Sequence, residues 1–275
     1  MNDIKEWSES FAKYTWDRLG FVYHNEQAKL QETTITDDLV FQISKLFSGD
    51  GSLFMLEHAK NEKRNGNDLE FAIAVRKDEF LIFPIQAKRL YAKQRYPRIS
   101  HKGQLKGLMN YAKEVGGVPL YLLYNYVAKD FEYPKYLCGK ELVADHYGCT
   151  LVAAEHIEAR YANKLKRKRK KIWKIPTFFS LLEDQASFPW HLLFYEPEKL
   201  VPGYKMRTKE SEIIIKAYSK DELLSNKDWQ YLTQFSQVQN SSNLVMQDFT
   251  DSVSNGEDNS TFSPRFRFIF DSFSD

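Results

Sequence analysis

Asp68, Gln86 and Lys88 are residue types that phosphodiester hydrolysis can use. That reaction needs a hard cation held by oxygen ligands beside the scissile phosphate, and a water that is oriented and deprotonated. A nearby cationic side chain stabilises the charge that develops on the phosphate. Two adjacent strands can supply these groups, with an acid on one and an oxygen ligand plus a lysine on the other. Residues i and i+2 of a strand share a face, so Gln86 and Lys88 project together. An amide or acid two places before a lysine is a weak signal by itself. Its setting makes it informative: a turn at Gly66, Asp68 opening one strand, a tight turn at Lys77-Asp78, and Gln86-Ala87-Lys88 closing the next. A lysine ending so apolar a strand needs a partner. The plainer reading is a surface Lys88 paired with Asp68, an arrangement of little energetic worth.

The elements that must position these residues follow from periodicity. Ile4, Trp7, Phe11, Tyr14 and Leu19 mark a first amphipathic helix, and Ile35, Leu39, Ile43 and Phe47 mark a second, ended by Gly49-Asp50-Gly51. Glu32 leads the apolar face of that second helix. Strands are expected over Ser52 to His58, Asp68 to Val75 and Glu79 to Ala87, the last apolar enough for the centre of a sheet. A helix over Gly103 to Val115, strands at Pro119 to Tyr126 and Gly148 to Ala154, and a helix at Glu155 to Ala162 complete a mixed α/β layer architecture. Pro176 to Glu183 and Lys209 to Gln237 read as helical, with Ser219 and Glu222 as a capping box. Arg265 to Phe270 alternates like a strand or docking peptide, and residues 239–263 read as a flexible polar segment.

Asn65-Gly66-Asn67-Asp68-Leu69-Glu70, followed by Ile85-Gln86-Ala87-Lys88-Arg89, resembles the D…(E/Q)xK signature of the PD-(D/E)XK nucleases, the restriction-endonuclease-like superfamily. Gln86 stands where the acid is usual, as in the Mrr-like branch. Gln104-Leu105 and Pro119-Leu120-Tyr121 resemble a bacterial branch of Q-A-K-R proteins. The resemblance spans roughly residues 25–160 and implies a restriction-endonuclease-like mixed central sheet flanked by helices. It further implies a deoxyribonuclease dependent on Mg²⁺ or Mn²⁺, with a place in bacterial restriction or antiphage defence. By the same resemblance Asp68 and Gln86 ligate the metal, Lys88 orients the water, and Glu32 is the best match to a helix acid that completes the site. The neutral amide of Gln86 leaves two readings open. Either Glu32 or Glu70 supplies the missing charge, or the chain is a catalytically inactive nucleic-acid-binding or partner-docking module; Glu70 could equally be a solvent-facing strand residue.

The charge pattern fits a polyanion partner. Lys88 to Lys106 holds seven Lys/Arg and Arg160 to Lys174 nine, neither with an acid, while residues 210–275 carry five Lys/Arg against eleven Asp/Glu. Arg89, Tyr91, Lys93, Arg95, Lys102 and Gln104 are therefore candidate nucleic-acid contacts in the first run, as are Lys166, Arg167, Lys168 and Arg169 in the second. Tyr91, Tyr96 and His101 interleave with the basic residues and could stack on bases or pack a loop. His191, in Phe188-Pro189-Trp190-His191, reads first as part of a packed turn. No G-x-S-x-G elbow and no phosphate-cradling Gly loop occurs, so neither a serine hydrolase nor an ATPase is supported.

The expected organisation is a nuclease-like domain over residues 1–160, a basic linker over 161–174 and a mostly helical C-terminal extension over 175–275. That extension could dock a partner subunit or a second copy. Cys138 and Cys149 read as two reduced thiols, and two cysteines with six scattered histidines give no zinc spacing. The apolar runs are too short to cross a bilayer, and Met1 to Glu9 does not read as a signal peptide, so a cytoplasmic protein without membrane partners is expected.

Overall fold

The structure is a computed structural model. It describes residues 2–25, 27–46, 54–59, 68–97, 99, 102–162, 165–167, 170–172, 175–197, 215–225, 229–231, 264 and 266–271. The chain opens with α1 (Asn2–His24) and α2 (Glu32–Leu46), followed by β1 (Phe54–Ala59), β2 (Asp68–Arg76) and β3 (Glu79–Arg89). Next come α3 (Lys102–Glu114), β4 (Leu120–Tyr124), a small ladder of β5 (Tyr136–Leu137) with β6 (Lys140–Glu141), then β7 (Cys149–Ala153) and α4 (Ala154–Tyr161). The remaining elements are β8 (Leu165–Arg167), β9 (Lys170–Ile172), α5 (Phe178–Glu183), β10 (Ser187–Pro189), α6 (Leu192–Tyr195), β11 (Ala217–Tyr218), α7 (Lys220–Leu224), β12 (Trp229–Tyr231) and β13 (Phe266–Phe270).

The main sheet has the order β10-β7-β4-β3-β2-β13-β1-β12, with β11 pairing the start of β3. Two of its pairs, β3/β4 and β2/β13, are parallel. Helices cover both faces, which makes this a mixed α/β architecture. One core joins α1, α2 and α6 to Leu69, Phe71, Leu81, Phe83, Ile85 and Leu122. On the other face α3, α4 and α5 pack on Tyr121, Leu123 and Val152, and Leu223 of α7 packs on Ala72, Phe80 and Ile82. Burial on both faces explains why β3 is apolar throughout Phe80 to Ile85. Pro84 is tolerated in this central strand because β11 reaches only Leu81 and β4 begins opposite Ile85. Its missing N–H therefore falls in a gap of the ladder.

Several expectations hold within a residue or two: α2, β2, the Lys77-Asp78 turn, β3, α3, β4, β7 and α4. Thr177 caps α5, and Ser219 and Glu222 form the capping box of α7. Cys138 and Cys149 form no disulfide. Three expectations are corrected. The described part of 209–237 is β11, the five-residue α7 and β12, not one long helix. The basic stretch is not a plain linker, because β8 and β9 pair as an antiparallel hairpin. Nor are the described residues of the C-terminal part mostly helical: β10, β11, β12 and β13 all enter the main sheet, and β13 lies between β1 and β2. Residues 239–263 lie outside the described residues. No helix among the described residues is long and apolar enough to cross a membrane.

Candidate active site

The C-terminal end of β3 is the point where the chemically suited residues meet. β2 begins at Asp68, which is the register partner of Gln86, so Lys88 and Arg89 extend beyond the end of β2. On the other side β4 continues, pairing Gln86 with Tyr121 and Lys88 with Leu123. Glu32, the first residue of α2, approaches this end from the opposite face of the sheet. Its Oε2 accepts a hydrogen bond from the Arg89 backbone N–H at 2.9 Å, and its Oε1 lies 3.5 Å from Lys88 Nζ. A carboxylate is favourable at a helix N-terminus, where the orphan amides concentrate positive potential. The Arg89 guanidinium donates to the Leu30 carbonyl, so the approach to α2 is tied to the end of β3 by two separate contacts.

The Lys88 and Glu32 side chains are only 12% and 17% exposed. The ammonium is thus largely withdrawn from water with its charge balanced by Glu32, while the side chain of Asp68 lies outside those described. Gln86 is 6% exposed, and its Oε1 is buried without a hydrogen-bond donor among the described residues. An unsatisfied buried carbonyl costs about 1–3 kcal/mol, so its retention calls for a reason. A positively charged ligand would satisfy it.

Glu70 is a different matter. It is fully buried, its Oε1 accepts from Arg267 Nε at 2.5 Å, and its Oε2 accepts from the Tyr111 hydroxyl at 2.6 Å. Burial, then the Glu70 charge, pushes the Tyr111 hydroxyl well above its usual pKa. Glu70 is therefore a buried structural ion-pair partner rather than a solvent-facing residue, and its charge is already used by β13.

The remaining candidates divide. Arg89 is half-buried with its guanidinium 5.2 Å from the centre of the exposed Tyr91 ring. Tyr91 and Arg95 bridge to each other around an exposed Lys93, which holds φ +62° beside Gln94 at +54°. Two successive non-glycine residues in the left-handed region form a strained, defined loop at this end of β3. Tyr96 is buried, donating to Asn125 Oδ1 at 2.5 Å, so it anchors the loop and cannot stack on a base. Lys102 opens α3, and Gln104 is exposed on it. Lys166 and Arg167 lie in β8, while His101, Lys168 and Arg169 fall outside the described residues. His191 is fully buried with neither ring nitrogen hydrogen-bonded, and packs 4.8 Å from His146 between ring centres. Burial pushes its pKa down to about 3, which leaves it a neutral core residue rather than a proton shuttle at this end of β3.

Sequence reasoning missed the aromatic group next to this site. Tyr126 follows β4 as Tyr91 follows β3, and its hydroxyl lies 3.0 Å from His24 Nε2. Tyr23 packs against the same ring at 5.6 Å. The one sequence hint was Gly20 inside a helix: a Cβ there would sit 2.7 Å from the Tyr126 ring.

Compared with known proteins, residues 4–269 match the model of a family of unknown function, DUF6615, and the chain belongs to that family. No curated protein and no solved structure matches the chain.

Proposed function

We propose that this DUF6615 member is a divalent-metal-dependent nuclease that hydrolyses phosphodiester bonds, in DNA rather than RNA, on a restriction-endonuclease-like core. The observation that carries the reading is the buried, donorless carbonyl of Gln86, in register with Asp68 and two residues before a Lys88 already neutralised by Glu32. The order α2, β1, β2, β3, α3, β4 supports it, with the parallel β3/β4 pair bridged by α3. So does the PD-(D/E)XK-like spacing of Asp68, Gln86 and Lys88.

The donor set fits a hard dication such as Mg²⁺ or Mn²⁺. Asp68, Gln86 and Glu32 offer oxygen alone, and the buried amide carbonyl is short of a positive partner. Among the described residues no three or more His, Cys, Asp or Glu side chains converge as a metal centre, so the proposed set mixes an amide with acids. Bound there, the metal would supply Lewis-acid polarisation of the phosphate and a more acidic water. Lys88 places a fixed positive charge where negative charge develops, and its largely buried setting strengthens that interaction relative to water. Glu32 orients Lys88 and, through the Arg89 amide, holds the end of β3 in place. Arg89, Lys93 and Arg95 provide phosphate contacts around it. Restriction or antiphage defence is the biological setting this chemistry suits.

One observation favours a second reading, an inactive nucleic-acid-binding module: Glu32 already bonds both Lys88 and the Arg89 amide. Metal dependence separates the two. Purified protein incubated with plasmid or single-stranded circular DNA and Mg²⁺ or Mn²⁺ should cut, and Lys88→Ala and Asp68→Ala should each lose at least about a hundredfold in rate while remaining folded. Lys88→Ala should have a lowered melting temperature, because it leaves the largely buried Glu32 carboxylate unpaired. Wild-type-like cleavage by either variant, or no cleavage by the parent under any divalent metal, removes the nuclease assignment.

A further inference from the structure

The strand that carries Lys88 and its parallel neighbour both run out into aromatic rings that the hydrolytic groups do not use. Arg89 and Tyr124 are register partners, and Leu90 still donates to the Tyr124 carbonyl at 2.9 Å. Tyr91 and Tyr126 each follow that pair by two residues, just past the last paired positions of the two strands. Ligands of open α/β sheets collect outside the carboxyl ends of parallel strands, which is where these rings lie.

Each ring is held by specific packing. Tyr91 is 47% exposed and backed on one side by the Arg89 guanidinium. Tyr23, 61% exposed, packs on Tyr126, and His24 completes the group with ring centres 5.2 Å from Tyr23 and 5.9 Å from Tyr126. Gly20 makes room for Tyr126, although glycine inside a helix costs about 1 kcal/mol relative to alanine. The loop after Tyr91 turns through the left-handed Lys93 and Gln94, and it presents basic Lys93 and Arg95 to solvent. A solvent-exposed tyrosine backed by arginine, within a basic and acid-free stretch, is a poor surface for water. It is a good one for a stacked base whose phosphate meets the neighbouring cations.

We propose that Tyr91 and the Tyr23–Tyr126 pair stack unpaired bases at the C-terminal ends of β3 and β4, so that the preferred substrate is single-stranded nucleic acid. Paired bases keep their faces inside the duplex and cannot use these rings. The inference rests on the nuclease reading only for what happens next at Lys88, because base stacking itself needs no metal.

The test is fluorescence anisotropy of the full chain in EDTA. The three probes are a labelled oligothymidylate, an abasic oligomer of equal length and a duplex of equal length. The wild type should bind oligothymidylate more tightly than the abasic strand. Tyr91→Ala and Tyr23→Ala should each weaken oligothymidylate binding about tenfold, with abasic and duplex binding unchanged, and Tyr→Phe at either position should restore it. Equal wild-type affinity for the oligothymidylate and abasic strands overturns the inference, as does unchanged oligothymidylate binding by the double alanine variant. Cleavage in Mg²⁺ is scored separately. Tyrosine-dependent binding without cleavage by any preparation keeps the stacking site and removes the nuclease. Lys88-dependent cleavage without tyrosine-dependent binding does the reverse.

Discussion

Gln86 tests fold and chemistry at once. Its Oε1 is buried with no donor, a condition that costs about 1–3 kcal/mol when nothing else compensates. Leucine has nearly the same size and no carbonyl. In chelator, Gln86→Leu should therefore stabilise the protein by about 1–2 kcal/mol, or about 2–8 °C in melting temperature for a chain of this length. Gln86→Glu should do the opposite, because it places a second carboxylate opposite Asp68 in a site with little water. Adding Mg²⁺ should reverse the order. A ligand present at about a hundred times its dissociation constant stabilises the native state by about 2.7 kcal/mol. The wild type and Gln86→Glu should gain that increment, the latter at lower Mg²⁺, and Gln86→Leu should gain little.

Thermal unfolding in EDTA and across a Mg²⁺ titration, with cleavage measured on the same preparations, reads all of this. Gln86→Leu should be the most stable variant in EDTA and the least active in Mg²⁺. If it cuts DNA with wild-type Mg²⁺ dependence, the amide has no part in the site. If it is instead destabilised in chelator, the carbonyl was satisfied in solution, and the main support for a bound cation disappears.

The other predictions concern what surrounds the site. Arg267→Met should cost about 3–5 kcal/mol in urea unfolding, because it strands the buried Glu70 carboxylate, whereas Glu70→Leu with Arg267→Met should be close to neutral. Equal destabilisation of both variants would show that the pair is not coupled. His191, with its pKa pushed down to about 3 by burial, binds fewer protons folded than unfolded between pH 3 and 6.5. Its contribution is therefore lost as pH falls through that window, by about 2 kcal/mol between pH 7 and 5. His191→Leu should flatten urea stability over that range, and an unchanged pH slope would contradict the neutral buried imidazole. In the β8–β9 hairpin Lys166 is the register partner of Lys171 and Arg167 of Lys170, and like charges at paired positions weaken a ladder unless a polyanion compensates. Replacing these four residues with serine should weaken DNA binding and lower the salt slope by about 0.7–0.9 for every phosphate they neutralise; an unchanged slope would mark the hairpin as a bystander.

What the sequence revealed and what it hid divide along contact range. β2, β3 and α3 carry their own periods, and the Thr177 and Ser219 caps are closed by residues three positions away. The register that sets Asp68 opposite Gln86, two residues before Lys88, was legible for a related reason, since a strand's two-residue repeat and a tight turn place these three with no knowledge of the rest of the sheet. β11 and β12 have two and three residues, too few to show a period, and only their partners β3 and β1 make them strands. The role of Glu70 depends on Arg267, 197 positions away, on a strand slotted between β1 and β2. Nothing local distinguishes a carboxylate facing solvent from one awaiting that guanidinium. The same holds for Tyr91 and Tyr126, which come after the ends of neighbouring strands only because β3 and β4 pair in parallel. The β13 insertion also bears on the chemistry. Arg267 holds the Glu70 carboxylate two residues from Asp68, so charge at the start of β2 depends on the far end of the chain. Cleavage should then be lost together with the C-terminal strand, even though no residue of that strand belongs to the proposed site.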